Sequence, residues 1–241
     1  MSSTAAAPVF RPAAERFHSQ LDWLESWHSF SFAGHHDPAW MGFGPLRVIN
    51  DDTIAPGRGF GMHPHRDMEI ITVMVEGQLN HRDSMGHAEV LRAGEVQRMS
   101  AGTGVVHSEI NEGAAACRLL QIWIEPSAPG LAPAYEQKPF ALEEGWTPLL
   151  DPERREGAMA IERPVRLWRA RPDAGAELVL PIAAGGLAWL QLIDGEVALA
   201  GGPAGGPPAL ARGDGLGFTA SGEERLGAAA KGADLLLFAL A

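Results

Sequence analysis

Little in this sequence could cross-link the chain or carry it into a membrane. One cysteine, Cys117, occurs in 241 residues, inside an apolar run, which excludes a disulfide framework and a thiolate metal cluster and leaves a buried structural thiol. No apolar stretch reaches eighteen residues, and the opening segment MSSTAAAPVFRPAAERF has no seven-residue apolar core. Neither a spanning helix nor a secretory signal is expected, and a soluble, cytoplasmic protein is. Basic blocks are missing as well. With a formal charge of −11 and no run of lysine or arginine, the surrounding field repels phosphate backbones, so direct nucleic-acid binding is not expected.

What the chain does have is apolar residues, at 46%, together with 29 glycines and 18 prolines. That composition supports a core built from short strands and tight turns, so the expected fold class is all-β, with few short helices. Strand-like runs cover 68–76, 78–81, 88–91, 96–100, 105–110 and 117–125, separated by glycine-bearing turns; the spacing suits a barrel or sandwich. Residues 125–139, EPSAPGLAPAYEQKP, read as a connector. Strand-like runs resume at 177–183, 187–199, 208–211 and 233–240, and the stretch 200–209 reads as a flexible loop.

An internal repeat points to two similar domains. VMVEGQL followed by EVLRAGEVQRMSAG matches QLIDGEV followed by PALARGDGLGFTASG, setting Gly77, Gly94 and Gly102 against Gly195, Gly213 and Gly222 at offsets of 118, 119 and 120 residues. The halves differ in chemistry, because all nine histidines lie at or before His107.

Two H-x-[HE] pairs concentrate those histidines. His63 and His65 flank Pro64, and His107 and Glu109 lie in GVVHSEIN. Residues i and i+2 of a strand share a face, so each pair can point into a barrel interior. Pro64 cannot donate to a ladder, which places its strand at an edge or start and leaves one side of the site open. Three imidazoles and one carboxylate make an open shell for a divalent transition metal: Fe(II) first, with Ni, Co, Mn, Cu and Zn also accepting such ligands. Spacing alone does not choose the carboxylate. Asp67 and Glu69 share parity with His63 and His65, and Asp67 could instead pair with Arg66 or Arg82. His81 and His87 flank a turn and are expected to be hydrogen-bonded or surface residues. His18, His28, His35 and His36 precede the barrel strands and are read as loop or surface residues.

Gly57 to Glu69 resembles the first cupin motif, a glycine, five residues, H-x-H, three residues and a glutamate; Gly94, Gly102, His107 and Asn111 resemble a looser second motif, with Ser100 where a proline is usual. SFSFAGHHDPAWMGFGPLRVINDD, HPHRDMEIITVMVEGQLNHRDSMG and VQRMSAGTGVVHSEIN together resemble the pirins, a family of two-cupin proteins, over residues 29–111. The second half resembles a pirin C-terminal cupin through LIDGEV, ARGDG and DLLLFAL. This resemblance implies two tandem cupin β-barrels: a metal-binding domain at 1–130, a linker at 131–144, and a C-terminal cupin without metal ligands at 145–241. It also implies His63, His65, His107 and Glu109 as the metal ligands, with Glu109 doubling as a base. Glu69, which an ordinary cupin would use, then becomes a supporting residue.

By the same resemblance, the expected activity is that of a quercetin 2,3-dioxygenase, opening a flavonol's central ring with O₂ and releasing carbon monoxide, in a monomeric chain. The rival is a regulatory protein acting on a protein partner, and a third reading is a zinc or nickel cupin of another class. Other motifs fail on context: HRD at His81–Asp83 lacks the asparagine of a kinase loop, GRGFG leads into a histidine strand, and no G-x-S-x-G elbow occurs.

Overall fold

The computed structural model describes residues 7–142, 144–199 and 205–240. Strand β1 (Val9–Arg11) is followed by β2 (Phe17–Gln20), β3 (Leu24–His28), β4 (Leu46–Ile54), β5 (Arg58–His65), β6 (Glu69–Glu76), β7 (Gln78–Asp83), β8 (Ala88–Arg92), β9 (Glu95–Ser100), β10 (Val105–Asn111), β11 (Cys117–Ile124) and β12 (Ala134–Pro139). Then come β13 (Trp146–Leu150), β14 (Arg166–Ala170), β15 (Glu177–Val179), β16 (Leu187–Ala198), β17 (Ala209–Ala211), β18 (Gly215–Thr219) and β19 (Arg225–Leu240). The helices among the described residues are three-residue 3₁₀ turns, and none is long and apolar enough to cross a membrane. The chain is all-β.

Two compact units share these strands. One takes the described parts of residues 17–141 and 161–163; the other takes those of 1–16, 142–160 and 164–241. The N-terminal segment thus leaves the domain in which the sequence reading put it. β1 pairs antiparallel with β18, Phe10 opposite Leu216, and the amide of Ala13 donates to Asp214 at 2.7 Å.

The first unit has a seven-stranded sheet, β12-β9-β6-β11-β4-β3-β2, and a four-stranded sheet, β5-β10-β7-β8. Leu24, Ile54, Met74 and Leu119 of the larger sheet pack against Leu79 and Leu91 of the smaller one, with Cys117 buried among them. Burial pushes the Cys117 thiol up to about 11, so it is inert at neutral pH. A second small cluster gathers Ile70, Met99 and Val105. Residues 134–139, read as connector, form β12, because backbone pairing with β9 from Ala134↔Ser100 to Pro139↔Glu95 needs no apolar side chains. Likewise His18 and His28 lie on strands β2 and β3, and His28 is buried, against their reading as loop or surface residues.

The second unit is one sheet, β1-β18-β16-β19-β14-β13, with β17 beside β16 and β15 beside β19. Its interior includes an apolar cluster with Leu190, Leu192, Leu216, Phe218, Leu235 and Leu237. Two of the three glycine pairs matched by the repeat adopt matching conformations, Gly94 and Gly213 both at φ +86 and Gly77 and Gly195 at +74 and +79, whereas Gly102 and Gly222 differ at +45 and +96. Only glycine enters that region without cost, so the same turns recur in both units. Of the loop 200–209, residues 200–204 lie outside the described residues.

Candidate metal centre

The centre is built on β5 and β10, which pair antiparallel with His107 directly opposite His63. β5 is an edge strand, the place where Pro64 removes no needed donor. A bulge shapes it: His107 pairs with His63 but Glu109 pairs with Phe60, so Gly61 and Met62 together face Ser108 alone. In a regular strand, residues 60 and 63 would point to opposite faces. Here both line one cavity, and Met62 is thrown outward at 61% exposure. Gly59 makes the close approach possible, since a Cβ there would stand 2.2 Å from the carbonyl oxygen of Glu109.

The ligand atoms of His63, His65 and His107 lie within 4.8 Å of one another, as do those of His81, His107 and Glu109. Nε2 of His63 and Nε2 of His107 are 3.1 Å apart, and Nδ1 of His63 bonds the Gly61 carbonyl oxygen at 2.7 Å, leaving Nε2 as its bare nitrogen. Nε2 of His65 is buried with no partner. Burial, then the neighbouring His107 and His63, lowers His65 to about 4; burial, then His63 and His81, lowers His107 to about 3. Neutral, converging imidazoles with an orphaned buried nitrogen fit a divalent transition metal.

Glu109 is buried and loosely held. Gln97 Nε2 donates to its Oε1 and Gln121 Nε2 to its Oε2, each at 3.3 Å. Thr72 Oγ also lies 3.3 Å away, but its single proton has a shorter path, 2.8 Å, to Gln121 Oε1. Both carboxylate oxygens therefore keep capacity to accept. Glu69 faces elsewhere: Ser100 Oγ donates to it at 2.8 Å, and burial raises its pKa against the pull of Ser100 and Arg98. Asp67 sits at φ +48 and accepts from the Gly130 amide at 2.6 Å, so it ties its segment to a distant one, and among the described residues neither Arg66 nor Arg82 pairs with it.

His81 is buried beside His107, with ring centroids 5.4 Å apart, and with His87 it shares Asp83 Oδ2 at 3.1 and 2.9 Å. Burial alone would raise Asp83, but the bonds from His81 and His87 hold it below the usual carboxylate range. Tyr135 of β12 stacks on both rings.

His63, His65 and Glu109 open onto a cavity of about 380 Å³ whose remaining wall the motifs did not reveal. Three neighbouring strands supply it at alternate positions: Leu24, Ser26 and His28 from β3; Asn50, Asp52 and Ile54 from β4; Leu119, Gln121 and Trp123 from β11. The signal was present in LESWH and LRVINDDTI, where period-2 alternation continues through polar residues.

An all-β chain of two barrels, one with a histidine and carboxylate cluster facing a cavity, is a bicupin of the metal-binding kind. Residues 10–124 match the Pirin family and residues 149–240 match the Quercetinase C-terminal cupin domain. The chain is 46% identical over 192 residues to a quercetin 2,3-dioxygenase of Escherichia coli (strain K12), covering 79% of this chain and 83% of that protein. It is also 46% identical to a putative quercetin 2,3-dioxygenase of Pasteurella multocida, covering 75% and 78%. The crystal structure of the bacterial pirin YhhW from Escherichia coli in complex with nickel(II) superposes with a TM-score of 0.89 at 41% identity, covering 97% of this chain and 98% of that one. The chain belongs to the pirin family.

Proposed function

We propose that this pirin is a quercetin 2,3-dioxygenase, opening the central ring of a flavonol with O₂ and releasing carbon monoxide, with His63, His65, His107 and Glu109 holding one Fe(II). The observation that carries the reading is the junction of the histidine cluster with a mostly apolar cavity in a chain so similar to proteins named for that activity. When bound, the metal supplies Lewis acidity toward the flavonol 3-hydroxyl oxygen and one-electron chemistry with O₂.

The chain's own residues supply the rest. Leu24, Ile54, Phe60, Leu119 and Trp123 line the cavity with apolar surface, which suits a planar aromatic ligand and keeps water off the reacting ring. Glu109, held only by amide bonds of 3.3 Å, is free to accept the 3-hydroxyl proton at a carboxylate oxygen. Gln97 and Gln121 steady that carboxylate by donating to one oxygen each.

Anaerobic purification, loading with iron, nickel, cobalt, manganese or copper in turn, and exposure to quercetin in aerobic buffer tests this. Loss of the quercetin absorbance band with stoichiometric carbon monoxide is expected. An unchanged band in every metal form would sink the proposal.

A further inference from the structure

Asp52 has no role in the reading above, yet it is a carboxyl group 3% exposed to solvent that lines the same cavity as the histidines. A buried carboxyl without an ion-pair partner is costly unless it is put to use. Its neighbour Asp51 does have such a partner, taking a bidentate bond from Arg118 at 2.8 and 2.9 Å on the opposite face of β4. Alternation along the strand therefore gives one aspartate to structure and aims the other into the cavity.

The surroundings of Asp52 fix its orientation. Ser26 on β3, directly opposite it in register, donates its hydroxyl proton to Oδ1. His28 Nδ1 lies 2.8 Å from Asn50 Oδ1, an acceptor, and 3.3 Å from Ser26 Oγ, while its Nε2 is 2.9 Å from Ser19 Oγ. Its ring N–H is thus committed to Asn50, and the Ser26 proton stays with Asp52. Among the described residues no other side chain donates to the Asp52 carboxyl group, so Oδ2 is the atom offered to the cavity. On the other side of β4, Leu119 lies opposite Asp52 and Gln121 opposite Asn50, and Gln121 reaches Glu109. By register, Gln121, Asn50 and Asp52 thus follow one another along the cavity wall from Glu109.

We propose that Asp52, positioned by Ser26, is a specificity-determining residue that binds a second hydroxyl group of a planar polyphenol whose first oxygen sits at the histidine cluster. A phenolic O–H suits Oδ2 because the carboxyl group can accept from it in either protonation state and, when protonated, can donate to it as well. Burial, opposed by the Ser26 bond, pushes Asp52 up to about 7, so both forms are present near neutral pH. The inference rests on the cavity being the flavonol site, but its test reads binding and not turnover.

Quercetin and 3-hydroxyflavone, which keeps only the oxygen for the metal, are titrated anaerobically into the nickel-loaded full chain, following the flavonol absorbance. The wild type is expected to bind quercetin about tenfold more tightly, the size of one good hydrogen bond. In Asp52→Leu that ratio falls to within about twofold, and in Ser26→Ala, which keeps the carboxyl but frees it to turn, it falls to about threefold. A ratio that stays the same in both variants, no preference in the wild type, or no binding of either flavonol overturns the proposal. Should Asp52→Leu not fold, as judged by metal content and near-ultraviolet circular dichroism, the Ser26→Ala ratio decides alone. Binding without turnover in air would overturn the dioxygenase reading and leave this one standing. Turnover with an Asp52-independent ratio would do the reverse.

Discussion

The two units solve the same construction problem with opposite interiors. The second packs a large cluster of leucines, alanines and aromatics on its sheet, whereas the first, beside smaller clusters around Leu79 and Met99, leaves a cavity lined by Ser26, Asp52, His63, His65 and Glu109. The turns are shared, down to the left-handed glycines Gly94 and Gly213. A cupin frame therefore does not need its site in order to fold, and a site inside one is built at the expense of core.

That contrast is most sharply tested at the histidines. His107→Ala should cut metal affinity by at least about 100-fold and abolish flavonol turnover, with little change in unfolding midpoint measured without metal; a normal metal content by mass spectrometry would break the comparison. Glu109→Gln should weaken metal binding by roughly 10- to 100-fold and Glu69→Gln by less than about threefold, checked by competition with a chelating dye. A reversed order would hand the carboxylate role to Glu69.

In the filled unit the effect should fall on stability alone. Leu237→Ala, at a position with no exposure, is expected to cost about 2–5 kcal/mol in urea unfolding while leaving metal per folded chain unchanged. A loss of metal from the folded variant would show that the site depends on the second interior.

Smallest is a pH effect confined to the first unit. His65 and His107, held at about 4 and about 3 in the folded chain, stay neutral while the unfolded chain takes up protons near 6.5, so metal-free stability falls as pH drops from 7 toward 4. Asp52, raised to about 7, works the other way, since over about pH 4–7 the folded chain holds its extra proton. Glu69, also raised by burial, sides with Asp52, and Asp83, held low, sides with the histidines; with the two histidines dominant, the melting temperature of the metal-free chain should fall by a few degrees between pH 7 and 5. In Asp52→Asn the fall should be steeper; an equal or shallower one would contradict the opposing slope.

The legible part of the fold was the part with strong local signals. β6 to β11 follow the alternating runs closely because apolar residues of period 2 are closed by glycines that must turn. β2, β3 and β12 were hidden, since β2 and β12 hold their places by backbone pairing and β3 carries a serine and a histidine inward. The histidine pairs could be read because i and i+2 suffice to align them. Where Asp67, Glu69 and Glu109 face depends on register between distant strands, such as the Glu69↔Ser100 pairing, which no local pattern encodes. His81, expected to be hydrogen-bonded, does bond Asp83, but its closeness to His107 follows from the pairing of β7 with β10.

The bulge at Gly61 and Met62 has a consequence for how such a protein can change by descent. A three-nucleotide deletion removing either codon would set Phe60 and His63 two positions apart, a spacing that regular alternation places on one face, so the shortened β5 would keep both side chains toward the cavity without a bulge. The number of codons between Phe60 and the histidine pair can therefore change by one while the face they share does not, and a comparison of spacings would register a difference where the folded strand has none.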